Sequence, residues 1–374
     1  METEHPVPVP KREEDAEWGP RGTVGVAFAA ALEFADVHVT IGERQVLKGV
    51  SFALPPGEIV CLLGESGSGK STILRAAAGI VPILSGTIRI NRQIVSGPGA
   101  HMPPEKRGIG LMFQDFALFP HISVLGNAAF GLSRLGRREA LKQAHQALRR
   151  VGLDDRADDF PAHLSGGQQQ RLALARSVAA RPGILALDEP FSSLDARLRQ
   201  SVRAETLAVL RETGATTIIV THDPEEAMLL GDRIALLRDG KIIQIAPATE
   251  VYQNPVDLSA ARFLSHLGEV RGVVRKGLAE TPLGPVQMLG RRDGAKVIVG
   301  IRPVGSVTLS LDPPGIPGRI LSRREALGID NYEVLVEGVE HPLRLRRAAN
   351  PAFRPGQDVF LTLNPEHLLV FGGD

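Results

Sequence analysis

The chain has 374 residues, 43% of them hydrophobic, enough for about two or three domains with substantial cores. Its 43 Lys and Arg nearly cancel 42 Asp and Glu, which excludes a global basic field and gives no sign of a nucleic-acid partner. A single Cys excludes an internal disulfide, and the apolar run Val24–Leu32 falls well short of the roughly 20 residues a spanning helix needs. Met1–Trp18 lacks the basic-then-apolar order of a secretory signal, so a soluble cytoplasmic chain is expected.

Pro6, Pro8, Pro10 and Pro20 among Glu13, Glu14, Asp15 and Glu17 predict a disordered extension, assigned to residues 1–30. Ala31–Val39 and Val46–Ala53 then alternate apolar and polar residues, as half-buried strands do. Glu58–Leu63 is an apolar strand entering a Gly-rich loop, and Ser71–Ala78 continues as a helix. Helical patterns over Arg137–Val151, Gln168–Ala180 and Leu194–Thr213 are interleaved with buried-strand runs at Ile184–Leu187, Thr217–Val220 and Arg233–Leu237. That alternation predicts a mainly parallel α/β core. After about Leu267 the helical signal fades. Lys296–Ile301, Ser306–Leu309, Tyr332–Val336 and Val359–Leu363 recur between Gly/Pro turns, which predicts a small barrel-like all-β domain.

Gly64-Glu65-Ser66-Gly67-Ser68-Gly69-Lys70-Ser71 fills every fixed position of a phosphate-binding loop between a strand and a helix. Its glycines let backbone N–H groups face phosphate oxygens, Lys70 neutralises their charge, and Ser71 offers a hydroxyl to Mg²⁺. Farther on, Leu185-Ala186-Leu187 runs into Asp188 and Glu189. Two carboxylates at a strand end suit two tasks: one holds the Mg²⁺ shell and the next polarises an attacking water. Cys61, in the strand before the loop, reads as packed core.

Leu164-Ser165-Gly166-Gly167-Gln168 opens a helix with small residues that expose N–H donors. With this segment the chain resembles the ATP-binding subunits of ABC transporters, whose signature is this sequence. The resemblance covers most of Leu32–His266. It implies a P-loop NTPase fold with a helical subdomain over residues 31–267, and roles for further positions. Gln114, after Leu111–Phe113, corresponds to the glutamine that joins Ser71 and Asp188 at Mg²⁺. Ser193-Leu194-Asp195 corresponds to the D-loop, and His222 to the switch histidine that contacts the γ-phosphate. Thr72 completes the nucleotide contacts, and Ile41 stands before Gly42 where the family stacks an aromatic ring on adenine. The resemblance further implies a head-to-tail homodimer. In it, each ATP lies between the phosphate loop of one copy and Leu164–Gln168 of the other, with Glu189 as general base.

Phe113–Leu132, with Phe116 and Phe119 looking exposed beside Pro120, is similar to the surface on which importer ATPases receive a permease. Val299–Pro303 and Asn364–His367 resemble the oligomer-binding-like barrel appended to such subunits, here residues 268–374, although Val304 replaces the acid that often follows the Arg-Pro pair. The implied partners are integral-membrane permease subunits and a separate solute-binding protein, at the cytoplasmic face of the membrane. Gln114–His121 together with Thr221–Met228 looks most like the ferric-iron importers. Polyamine, thiamine, sulfate and phosphonate systems share most of these words. A soluble ABC ATPase without a permease is the alternative from another class.

Overall fold

The computed structural model describes residues 18–287 and 290–373. The chain divides into two units, one ending at Ile243 and the other starting at Gln244.

The first unit opens with β1 (Leu32–Ile41), β2 (Arg44–Leu54), β3 (Ile59–Leu63) and α1 (Lys70–Ala78). It continues through β4 (Ser85–Ile90), β5 (Gln93–Gly97), β6 (Ala100–His101) and β7 (Ile109–Met112). The helices α2 (Val124–Ala129), α3 (Arg137–Arg150) and α4 (Gly166–Ala179) follow and pack on one another as a helical layer. Next come β8 (Ile184–Asp188), α5 (Ala196–Thr213), β9 (Thr216–Thr221), α6 (Pro224–Leu230), β10 (Arg233–Arg238) and β11 (Lys241–Pro247).

Two sheets result. One is antiparallel, in the order β2-β1-β4-β5-β6, and the other runs β11-β10-β3-β9-β8-β7. In the second, β10, β3, β9, β8 and β7 are mutually parallel. Every residue of β3, β8 and β9 is buried, which is why these strands read as unbroken apolar runs rather than alternating ones. Parallel strands share one exit edge. The loops after β3, β9, β8 and β7 therefore all emerge together, and these loops carry the motifs.

Residues 1–17 lie outside the described residues, but the disorder expected up to residue 30 does not hold for 18–30. This segment has no regular structure, yet Gly19 N–H donates to Arg150 O (3.0 Å), Ala27 N–H to Thr213 O (2.8 Å) and Ala30 N–H to Gly183 O (3.1 Å). The Trp18 ring lies 5.8 Å from the Arg150 guanidinium and 5.7 Å from that of Arg171. Local composition favours disorder, but the backbone donors and the indole find tertiary partners that composition does not reveal.

The segment covers an ion cluster joining α3 to α5. Arg150, with a side chain 0% exposed, donates to Glu212 at 2.8 and 2.9 Å and to Glu205 at 3.2 Å. Burial alone pushes the Glu212 carboxyl up, but hydrogen bonds from Arg150 and the Gly22 N–H outweigh it and hold the group below its ordinary range. A depressed folded value means the pairing stabilises above the unfolded carboxylate value of about 4.3 and is lost as pH falls through the lowered one. Arg150→Met should therefore cost about 3 kcal/mol in urea unfolding at pH 7, because it leaves two carboxylates without their cation. The gap should narrow below pH ~4. A loss under about 1 kcal/mol at pH 7 would show that water replaces the arginine.

The second unit contains α7 (Ala248–Gln253), α8 (Leu258–Leu264), β12 (Gly268–Arg275), β13 (Leu278–Thr281), β14 (Gly284–Gln287) and β15 (Lys296–Ile301). It ends with β16 (Val307–Ser310), β17 (Ile316–Ala326), β18 (Ile329–Val336), β19 (Leu343–Ala348), β20 (Asp358–Leu363) and β21 (Leu368–Gly372). Two antiparallel sheets, β14-β13-β12-β15-β21 and β16-β20-β17-β18-β19, close over one apolar core that includes Val270, Val299, Ile320, Tyr332 and Leu361. The all-β reading of the C-terminal region is thus realised as two sheets around a shared interior.

The division at 243/244 precedes the expected border at 267/268. α7 and α8 group with the β unit because side chains tie them to it. The Arg302 guanidinium stacks 3.9 Å from the centre of the Tyr252 ring and donates to Tyr252 O, while Arg262 pairs with Glu269 at 2.6 Å. The two C-terminal words also meet: the buried Ser306 hydroxyl accepts from Arg302 N–H and donates to His367 O, both at 3.0 Å. Val304 is exposed.

Candidate nucleotide site at the exit edge of the parallel sheet

The phosphate-loop candidate spans the turn from β3 to α1. A Cβ at Gly64 would sit 2.3 Å from Leu237 O, and Gly69 holds φ at +109° as the N-cap of α1. Glycine is needed at both, at the first for space and at the second for conformation. Glu65, Ser66 and Gly67 form an exposed rim, whereas Ser68, Gly69 and Lys70 are buried beneath it. Gly69 offers no side-chain cap, so the first N–H groups of α1 stay available at its positive end. The buried Ser68 Oγ has no hydrogen-bond partner among the described residues.

Lys70 Nζ donates to Gly64 O at 2.8 Å and Glu65 O at 2.9 Å, which curls the ammonium back under the loop. Burial lowers its pKa, and the carboxylates of Glu189 and Asp188 oppose that shift. Its nitrogen lies under the loop against the carbonyls of Gly64 and Glu65. Ser71 Oγ donates to Asp188 Oδ1 at 2.8 Å, so two oxygens suited to a hard cation already converge. Burial raises the Asp188 pKa, while the Ser71 bond and the charges of Arg75 and Lys70 pull it down. Thr72 is half-buried in the first turn of α1.

Glu189 follows Asp188 with φ at +44°, a left-handed conformation that costs a glutamate about 1 kcal/mol or more. Its N–H donates to Val220 O at 3.1 Å, and its carbonyl accepts from Ser192 N–H and Oγ. The turn swings the carboxylate toward β9, where Oε2 lies 3.1 Å from His222 Nδ1. Lys70, Ser71, Asp188, Glu189 and His222 thus converge from β3, β8 and β9, as their positions in sequence suggested.

Other predicted residues stand differently. Gln114 lines a cleft of about 620 Å³ with Arg75, Phe113, Asp115, Ser192 and Ser193. Ile41 is 51% exposed at the tip of the β1–β2 hairpin, where it can meet a flat ring only from one side. Asp195 accepts from Leu198 N–H at 3.1 Å and so caps α5.

In Leu164–Gln168 the roles divide. Leu164 is buried, and Ser165 with Gln168 forms a reciprocal capping box at the start of α4. Gly166 and Gly167 are the unexplained pair. A Cβ at Gly166 would meet nothing within 4 Å, and at Gly167 nothing closer than 3.9 Å. Among the described residues, nothing requires glycine there.

The expected exposure of Phe116 is corrected: a left-handed turn (φ +60°) carries it inward to 7% exposure, and Arg176 holds Phe116 O at 2.6 Å and Ala117 O at 2.7 Å. Phe130 is the exposed aromatic instead, its ring tilted 36° to that of the half-buried Phe119 with centroids 4.2 Å apart. Sequence reasoning also missed Arg75. It lies four residues after Ser71 on α1, so the helical repeat alone puts the two on one face.

Among the described residues no helix is long and apolar enough to cross a membrane. Residues 47–192 match the ABC transporter family model. A Streptomyces avermitilis protein named Fe(3+) ions import ATP-binding protein FbpC is 38% identical over 347 residues, 91% of this chain and 98% of that one. A Rhizobium meliloti protein of the same description, FbpC 2, is 41% identical over 69% of this chain, but only 65% of its own length is spanned. The putative 2-aminoethylphosphonate import ATP-binding protein PhnT of Salmonella typhimurium is 43% identical over 70% of this chain and 69% of its own. Among solved structures, the ATP-binding cassette MJ0796, dimeric in a post-hydrolysis state bound to ADP and Pi, aligns with a TM-score of 0.53 and 30% identity over 58% of this chain and 98% of that one. The convergence of phosphate loop, strand-end carboxylates and glycine-rich helix start, together with these likenesses, places the chain in the ABC transporter family.

Proposed function

We propose that this chain is the ATP-hydrolysing subunit of a membrane importer and that the imported solute is ferric iron. The observation that carries the catalytic half is the meeting of Lys70, Ser71–Asp188 and Glu189–His222 at one sheet edge. Lys70 and the N-terminus of α1 hold the phosphates. Ser71 and Asp188 are the residues that would hold Mg²⁺, and Gln114, in the cleft after β7, is proposed to join them. The ion supplies charge neutralisation on the phosphate oxygens. Glu189 accepts the proton of the attacking water, and His222 orients the γ-phosphate side of the reaction.

The dimer reading is supported by Gly166 and Gly167, whose open Cβ directions make sense if a phosphate of a second copy's ATP approaches them. ATP shared in this way closes the dimer, and hydrolysis releases it. Permease subunits and a solute-binding protein complete the proposed assembly at the cytoplasmic face. The exposed Phe130 and the segment around it form the surface offered to the permease.

The iron assignment is supported by the names of relatives described as Fe(3+) import ATP-binding proteins. Labelled ferric-iron uptake in cells lacking this gene tests it, with complementation by wild type or Glu189→Gln. Restoration by wild type alone is expected. Undiminished iron uptake in the deletion strain, with loss of 2-aminoethylphosphonate uptake, would replace iron by the second solute that a relative's name supports.

A further inference from the structure

His222 is 53% exposed at its side chain, and among the described residues its Nδ1 meets Glu189 Oε2 at 3.1 Å, so this half-exposed setting leaves the direction of its ring to what holds its backbone. The backbone at 221–223 must set it, and both neighbours of His222 are held from a third element. Arg203, in the middle of α5 and 12% exposed, sends Nη2 to Glu226 Oε1 at 2.6 Å and to Asp223 Oδ2 at 3.3 Å. Its Nε adds a second bond to Glu226 Oε1 at 3.2 Å. The other oxygen of the buried Glu226 accepts from Thr221 Oγ1 at 2.6 Å, and that same hydroxyl accepts from Asp223 N–H at 3.0 Å. Asp223 in turn caps α6 through Glu225 N–H and Glu226 N–H.

We propose that Arg203 is a positioning residue for hydrolysis, which fixes Thr221 and Asp223 on either side of His222 and so holds the imidazole on Glu189. The inference rests on the reading of Glu189 and His222 as the hydrolytic pair. An arginine that only neutralised Glu226 would need one carboxylate. Here the planar fork divides between two, and the second oxygen of Glu226 goes to the residue preceding His222. In so buried a setting these charge-assisted bonds leave the turn little freedom. A ring displaced by even about 1 Å from its working position costs a large factor in rate.

The test is steady-state ATP turnover and ATP affinity of the full chain carrying Arg203→Met, His222→Ala or both. Arg203→Met should lower kcat by about tenfold or more while ATP affinity stays within about twofold. Added to His222→Ala, it should cause no further loss, because its effect runs through that ring. A wild-type kcat for Arg203→Met, or a full additional loss in the double variant, overturns the assignment. Wild-type turnover of His222→Ala instead overturns the reading of the pair, and this inference with it. If the methionine variant does not fold, Arg203→Lys carries the test, since it keeps the charge against Glu226 but lacks the fork that also reaches Asp223. A kcat about fivefold below wild type then supports the role, and an unchanged kcat overturns it.

Discussion

Lys70→Ala should weaken ATP binding by roughly a hundredfold in calorimetry and abolish turnover at ordinary nucleotide concentrations. Charge-assisted hydrogen bonds are worth about 1.5–3 kcal/mol each, and a tenfold change in affinity corresponds to about 1.4 kcal/mol. The ammonium is 5% exposed and already bent under the loop by the carbonyls of Gly64 and Glu65, so little ordering remains when a phosphate arrives. Alanine also removes a cation that offsets Asp188 and Glu189, and the added repulsion acts on the same phosphate. Unchanged ATP affinity in a folded Lys70→Ala chain would remove the loop from the binding site.

Glu189→Gln should leave ATP affinity intact and lower turnover by about a thousandfold, within the usual range for losing a general base. The amide keeps the size of the side chain and can still bond His222, and the left-handed turn is held by the main chain through Val220 and Ser192. Proton acceptance is what disappears. Because ATP is then bound without being consumed, the variant should elute as a dimer on size exclusion when ATP is present and as a monomer without it. A monomer at saturating ATP would contradict the head-to-tail arrangement. Retained turnover would move the base away from Glu189.

Local chemistry explains which parts of the site could be read in the sequence. The phosphate loop is legible because its strand, its glycines, its lysine and its helix are contiguous. Asp188, Glu189 and His222 are legible because each closes a fully buried strand, and parallel strands in one sheet share an exit edge. Arg203 carries no such mark. It is one arginine on an amphipathic helix, and only the fold shows that Asp223 and Glu226 wait opposite it. Phe116 reads as exposed until a left-handed backbone turns it inward. The helices α7 and α8 look like a continuation of the α/β pattern. Their allegiance rests on Arg302 over Tyr252 and Arg262 on Glu269, contacts that span sequence the pattern does not connect. For residues 18–30 the error has the same origin, since an extension rich in Pro and Glu is judged by composition while its order comes from distant carbonyls.

That extension has a practical consequence. Trp18 is the sole tryptophan of the chain, and its indole lies beside the guanidinium groups of Arg150 and Arg171, with Nε1 buried and without a hydrogen-bond partner among the described residues. Every photon of tryptophan emission therefore reports on one place, the contact of residue 18 with the end of α3 and the middle of α4. Two nearby cations and a buried Nε1 on a half-buried ring give that emission a colour and a quenching profile distinct from those of a solvated indole. Any rearrangement that moves α3 against α4 at this point has to disturb this fluorophore, so the unlabelled protein carries its own optical gauge of internal movement.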